Sequence, residues 1–338
     1  MNFFNSSSEI SHFPVMLEEI IKICKPIDGG AFVDCTFGGG SYSKELLKFP
    51  NTQVLALDRD NFVIKIAEKF KKKFPKRFSF YNEKFSNLEK VIENKITPDS
   101  IIFDLGLSTF QLSDMSRGFS FNSKEKIDMS MGLSNLSAEE VINNYDEHTL
   151  LLIIKILGEE KEASKIVRNI IKARKEKKIS KVFELAEIVK KSKKKDYTKK
   201  INVCTKTFQA LRIFVNKETT ELIEGIIQAT KLIKSGGKII LVSFHSIEDK
   251  IIKFYFSNYS ENKSKPSRYF PEEDTKNDIL FKEYRNTFLR PTGEEILLNP
   301  PSRSAKLRYA TRNNNKFLYP ENLKIKFKRY LDLESSNV

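Results

Sequence analysis

The sequence predicts an α/β fold, a largely parallel sheet covered by helices, and three observations carry that expectation. Short apolar runs recur at "GGAFVDC" (29–35), "TQVLALDRD" (52–60), "RFSFYNEKF" (77–85) and "DSIIFDLGLS" (99–108). Stretches with helical periodicity separate them, which is the rhythm of βαβ units. Acids close three of the runs, at Asp34, Asp58 and Asp104. In an open parallel sheet such carboxyl ends border the ligand crevice.

The elements follow in order. The first run passes through glycines 38–40 into a helix carrying Leu46, Leu47 and Phe49. "NFVIKIAEKFKKKF" (61–74) sets Val63, Ile66, Ala67 and Phe70 on one helical face, and the third run leaves into a loop holding Phe85. The fourth run is buried in character and stops at Asp104 and Gly106. After Ser108 no comparable strand appears until about residue 200; Ser137 and Glu140 have capping-box spacing, and three more helix-like stretches follow. Residues 205–233 read as one long amphipathic helix, ended by Gly236 and Gly237. "KIILVSF" is a fifth strand, "SIEDKIIKFYF" a helix, 258–285 a polar loop, and "AKLRYATR" (305–312) a final strand. Thr292 and Glu295 offer a second capping-box spacing. The expected organisation is a discontinuous domain, 1–108 with 203–338, around a helical insert at 109–202.

Composition limits the function. The chain has 338 residues, enough for an α/β core plus a second module, and 40% of them are hydrophobic, as in a folded protein. Its 59 Lys and Arg against 44 Asp and Glu give a net charge of +15, which favours a polyanionic partner such as nucleic acid. Residues 161–200 hold 16 Lys or Arg against 5 Asp or Glu, so the insert carries most of the excess. Heavy use of Lys, Ile, Asn and Phe offers a plainer, purely compositional source of that charge. Cys24, Cys35 and Cys204 are far apart and lack C-x-x-C spacing, so neither a disulfide framework nor a zinc site is expected. With no run of 18 apolar residues and no secretory start, the expectation is a cytoplasmic protein with no membrane association.

The loop "GGGSYS" (38–43) places Ser43 where a dinucleotide fingerprint needs its third glycine. A tight strand-to-helix turn without a ligand is the alternative. Asp34, Asp58 and Asp104 sharpen the choice: three carboxylates suit an amine, a sulfonium and ribose hydroxyls, and suit a pyrophosphate badly. S-adenosylmethionine therefore fits better than NAD. Each acid also has a bland reading as a helix cap.

Taken together, "HFPVMLEEI", "VDCTFGGGSYS", "LALDRD", "IIFDLGLSTFQL", "RGFSF", "DMSM", "TFQALRIFVNKE", "GGKIILVSFHSIEDKIIK" and "NPPSRSAKLR" resemble, in order, the signature segments of the MraW-type methyltransferases, from His12 to about Arg312. The resemblance implies a Rossmann-like class I methyltransferase sheet with a helical domain inserted after its fourth strand. It implies methylation of the exocyclic N4 of a cytosine in the decoding region of 16S ribosomal RNA, with S-adenosylmethionine as cofactor and the rRNA or the small subunit as partner. Cofactor contacts are implied at Gly40, Ser41, Tyr42, Asp58, Phe85, Asp104 and Gln111. The family usually has Gly-His where this chain has Ser41-Tyr42, Ser-Pro where it has Thr109-Phe110, and His-Pro-Ala-Thr-Arg where it has "NVCTK".

A cytosine N4 amine is a poor nucleophile, so it must be aligned and given a hydrogen-bond acceptor. The candidates are Ser108 Oγ and the backbone carbonyls of the turn 104–108. His245, at the end of the fifth strand, reads either as a proton acceptor or as a positioned structural histidine. Asn299-Pro300-Pro301 reads as a turn. Arg303, Lys306 and Arg308 either extend the RNA surface of the basic insert or form a solvated face. A homodimer stays open. A noncatalytic RNA-binding or ribosome-assembly protein on the same fold is the rival reading, and an NAD-dependent dehydrogenase is disfavoured by Ser43 and Asp34.

Overall fold

The computed structural model describes residues 14–93, 95–193, 202–262 and 279–336. Its strands are β1 (Gly30–Asp34), β2 (Thr52–Leu57), β3 (Phe78–Tyr81), β4 (Ser100–Asp104), β5 (Lys238–Ser243) and β6 (Lys306–Thr311). They form one sheet in the order β3-β2-β1-β4-β5-β6, with β6 antiparallel to β5 and every other neighbour parallel. Strand order reverses between β1 and β4, and a crevice opens at such a reversal.

Side chains alternate across the sheet, which splits the apolar residues into two faces. Phe32, Val54, Ile102 and Ile240 point to the face covered by α1 (Leu17–Cys24), α2 (Ser41–Leu46) and α3 (Ile64–Lys73). Val33, Leu55, Ile101, Phe103, Ile239 and Leu241 point to the other, where α4 (Leu88–Ile92) begins the cover. Between β4 and β5 the chain forms α5 (Thr109–Ser113), α6 (Ala138–Asn144), α7 (Glu147–Leu152), α8 (Ala163–Glu176), α9 (Val182–Ser192), α10 (Thr205–Asn216) and α11 (Glu218–Leu232). Ile142, Ile166 and Leu185 of the inserted helices share one continuous core with Val33 and Phe103 of the sheet. The chain closes with α12 (Ser246–Asn258), α13 (Gly293–Leu298), β6 and α14 (Glu321–Ser335). Among the described residues no helix is long and apolar enough to cross a membrane.

Two sequence expectations change. The single helix expected over 205–233 is two, broken at Lys217, whose φ of 50° is left-handed. Asn216 holds the break: its amide donates to the Met129 carbonyl and accepts from the Met131 N–H, both at 2.8 Å. Apolar periodicity runs through the break, so the pattern could not reveal it. At Thr292 only half of the capping box forms. Thr292 Oγ1 accepts from the Glu295 N–H, but the Glu295 carboxylate accepts from the Met16 N–H at 2.9 Å and so ties α13 to α1. The box at Ser137 and Glu140 is complete. Much of the expected loop at 258–285, and the "HF" that opens the first motif, lie outside the described residues.

Candidate active site

A cleft of about 400 Å³ lies at the carboxyl ends of β1, β2 and β4. Register decides which acid reaches it. Asp34 pairs with Ala56 on β2 and with Ile102 on β4. Asp58 and Asp104 therefore each stand two residues further along, on the same side of the sheet and nearer its edge. Both line the cleft, whereas Asp34 is fully buried behind it. Asp34 instead accepts from Ser43 Oγ at 2.7 Å and from the Thr36 N–H at 3.3 Å. Its expected role facing a ligand amine gives way to one fastening the glycine loop, and Ser43 is its partner. Burial pushes the Asp34 carboxyl up to about 6, against those two donors.

The loop is shaped by packing. A Cβ on Gly40 would stand 2.8 Å from the rings of Phe37 and Phe70, and its φ is +75°. Gly40 thus makes room for the rings of Phe37 and, on α3, Phe70, and does not line the cleft; Gly38, Ser41 and Tyr42 do. Asp58 Oδ2 accepts from the Gly38 N–H and Oδ1 from the Asp60 N–H, both at 2.8 Å. Burial raises the Asp58 carboxyl to about 6, the two amide donors resist that, and Asp60 and Asp34 add repulsion. Each oxygen keeps a lone pair, enough for two ribose hydroxyls.

Asp104 lies across the cleft. Its Oδ2 is 3.2 Å from the Tyr42 hydroxyl, which also reaches the Val15 carbonyl at 2.6 Å, and its Oδ1 is buried with no hydrogen-bond partner among the described residues. Phe85 forms an apolar wall, edge-on to Phe103 with ring centroids 5.3 Å apart. Gly225 on α11 makes room for it, since a Cβ there would lie 2.5 Å from the Phe85 ring.

Gln111 lines the cleft, and its side chain is also engaged within the protein. Its Nε2 donates to Asp60 Oδ2 at 2.8 Å, and its Oε1 accepts from the Ser108 N–H at 3.0 Å. Ser108 lines the cleft, and its Oγ accepts from the Gln111 N–H at 3.3 Å, which caps α5. Gly106 and Leu107 complete that wall. The side chains of Thr109 and Phe110 lie outside the described ones.

His245 does not line the cleft. It caps α12, and its Nε2 is 3.1 Å from Glu248 Oε1. Glu248, which sequence reasoning took as part of a helix start, does line it and accepts from the Phe244 N–H at 2.8 Å. Burial acts to raise the Glu248 carboxyl, but the His245 and Arg212 charges outweigh it and hold the group below its ordinary value. Glu218, His245 and Glu248 bring ligand-type atoms within 4.8 Å of one another. The Arg212 guanidinium grips both Glu218 oxygens at 2.9 Å, so the cluster already holds a fixed cation.

The model of the MraW methylase family matches residues 9–313. This chain belongs to the MraW methylase family. MraW-family relatives named Ribosomal RNA small subunit methyltransferase H include one from Orientia tsutsugamushi (strain Ikeda), 39% identical over 308 residues, which cover 90% of this chain and 98% of the relative. One from Ehrlichia canis (strain Jake) is 41% identical over 300 residues, covering 88% and 98%. An rRNA methylase structure from Streptococcus thermophilus aligns with 87% of this chain and 96% of its own at 9% identity and a TM-score of 0.38, a likeness too distant to add to the sequence relationship.

The structure also brings residues to this MraW-family cleft that sequence reasoning missed or set aside. Asn299 and Pro301, read as a turn, line it beside Glu221 and Glu248. Asp60 is buried under Gln111 and accepts from Arg117 Nη1 at 2.6 Å. The "DRD" triplet was the only available signal, and it showed acids without a partner. Arg308 belongs to neither reading proposed for it: it is buried and donates to Asp249 Oδ1 at 2.8 Å, while Lys306 holds the other Asp249 oxygen.

Proposed function

We propose that the protein transfers a methyl group from S-adenosylmethionine to the N4 amine of a cytosine in the decoding region of small-subunit rRNA, in the cytoplasm. Family membership supports the reaction class. The observation that carries the ligand assignment is the cleft wall itself: Asp58 and Asp104 face each other across it, and Asp104 keeps an unpartnered buried oxygen. A phosphate would be repelled there. A ligand with a positive charge at one end and a diol at the other would be held. The residues fit that group: Asp58 takes the ribose hydroxyls, Phe85 flanks the adenine, and Gly38, Ser41 and Tyr42 border the methionine portion. The bound cofactor supplies a methyl group made electrophilic by its sulfonium.

The protein's own part is alignment and solvation. Gly106, Leu107 and Ser108 line the cleft, and their backbone carbonyls with Ser108 Oγ are the acceptors we assign to the amine of an extruded base. A delocalised amine becomes reactive there only when held in line, and alignment is the larger share of the barrier. Gln111, locked by Asp60 and Ser108, fixes this turn and does not need to touch the ligand. The basic helix α8 and the lysines that flank α9 supply phosphate contacts on the rRNA or the assembled subunit.

The test is label transfer from S-adenosylmethionine to unmodified small-subunit RNA and particles, followed by nucleoside identification. Label in N4-methylcytidine is expected. Label in any other nucleoside overturns the cytosine assignment, and no label in any assembly state favours the noncatalytic reading.

A further inference from the structure

The Tyr42 hydroxyl sits between two oxygens, 2.6 Å from the Val15 carbonyl and 3.2 Å from Asp104 Oδ2. A phenol carries one proton, and a carbonyl has none to give. The shorter contact competes for the Tyr42 proton, so Asp104 Oδ2 has only a shared, longer donor there. Among the described residues Asp104 Oδ1 is buried with no hydrogen-bond partner, an arrangement hostile to full negative charge. Among the described residues, the titratable groups that act most on Asp104 are the acids Tyr42 on α2, Asp34 on β1, Glu248 on α12 and Glu295 on α13, with His245 and Arg212 standing behind Glu248. Burial, opposed by the Tyr42 contact and reinforced by the three carboxylates, pushes Asp104 up to about 8. Asp34 and Asp58 rise only to about 6, so near pH 7 Asp104 is the one of the three strand-end acids that holds its proton.

We propose that Asp104 is the proton acceptor of the methyl transfer: it is protonated in the free protein, releases that proton when the cationic cofactor binds beside it, and then takes the proton shed by the target amine. This rests on the reading of the cleft given above. The balance is simple. As the N–C bond forms, the C–S bond breaks with its pair left on sulfur, one N–H bond of the amine breaks, and an O–H bond forms on Asp104. A carboxyl whose surroundings favour the protonated form is a stronger acceptor than an exposed one. Tyr42 acts as a positioning residue by fixing Oδ2.

The experiment is calorimetric titration of the full chain with S-adenosylmethionine at pH 7.0 in two buffers of different ionisation enthalpy. Their difference counts protons released. Wild type should release about one proton at pH 7 and clearly less at pH 8.5, where Asp104 has already lost much of it. Asp104→Asn should release almost none at pH 7 and should slow single-turnover methylation. No release by wild type at pH 7, release undiminished at pH 8.5, or equal release by Asp104→Asn each overturns the proposal. The wild-type arms decide even if the variant does not fold. Failure of S-adenosylmethionine to bind at either pH overturns the cofactor reading instead, whereas cytosine methylation without proton release overturns only the role of Asp104.

Discussion

Asp58 and Asp104 face the same cleft, yet their surroundings give them different work. Asp58 is held by two backbone N–H groups, so its charge is solvated by the loop it organises. Replacing it with Ala should weaken S-adenosylmethionine binding at least tenfold, since a hydrogen bond to a charged group contributes about 1.5–3 kcal/mol. Asp58→Asn, which keeps an acceptor for one loop amide, should lose less. Calorimetric affinity checks both, and unchanged binding by Asp58→Ala removes this residue from the site. The three strand-end acids also set a pH dependence for the free protein. Asp34 and Asp58 are raised to about 6 and Asp104 to about 8, all by burial first. A carboxyl raised in the folded state binds protons more readily there than in the unfolded chain. Its stabilisation is complete below the ordinary carboxylate range and is lost as pH climbs through the folded value. The melting temperature of the free protein should therefore fall between about pH 5 and pH 9, and S-adenosylmethionine should restore more of it at the upper end. A melting temperature that rises steadily over that interval contradicts the account. The acids were legible in the sequence because runs of apolar residues ending in Asp are conspicuous. The demotion of Asp34 was not, because only strand register shows that it stands two residues short of the edge.

Helices α4 to α12 decide how rigid the cleft is, and α11 links the most parts. Its first turn brings Glu218 and Glu221 to the cleft, and its middle passes Phe85 at Gly225. Its N-terminus has no cap of its own, because Lys217 is left-handed and offers no acceptor. The cap comes from α14: Glu334 accepts from the N–H groups of Thr219 and Thr220 at 3.0 and 2.7 Å. Glu334→Ala should cost about 1–2 kcal/mol, as loss of a capping side chain does, and urea unfolding measures it. Gly225→Ala should act on function as well. Its Cβ would force Phe85 toward the cleft, with an overpacking cost of about 1–3 kcal/mol and weaker S-adenosylmethionine binding. If binding is unchanged while stability falls, the Phe85 wall does not touch the cofactor. Sequence reading found all six described strands and most helices because period-2 and period-3.6 patterns survive in single sequences. It missed the break at Lys217 and the trans cap at Glu334, which depend on side chains of Asn216 and Glu334 reaching distant backbone.

At the scale of the whole molecule, the sheet, the cleft and the inserted helices form one packed body, with the core running unbroken from Val33 to Leu185. The charge of +15 is unevenly placed on that body: α8 carries five Lys or Arg against one Glu, and Lys177, Lys178 and Lys181 follow it, whereas the two lysines of α9 are balanced by Glu184 and Glu187. Ion pairs discount part of it. Lys177 pairs with Glu184, Lys178 with Glu139, Lys190 with Glu187 and Lys193 with Glu160. The lysines of the first three pairs are exposed and those pairs contribute little to stability, whereas Lys193–Glu160 is largely buried; all four lower the positive field that a polyanion meets. Lys172, Lys175 and Lys191 are exposed on the same helices and are the better candidates for phosphate contacts. Changing these three to Gln should weaken binding of small-subunit RNA and reduce the slope of log affinity against log salt by about 0.7–0.9 for each phosphate no longer neutralised. Folding should hardly change, since none of the three is buried. Affinity for S-adenosylmethionine should also be untouched, because the acids that hold it lie at the carboxyl ends of the sheet. A variant that binds RNA as tightly as wild type, with the same salt slope, would mean that the charge of these helices is compositional and that the RNA docks elsewhere on the molecule.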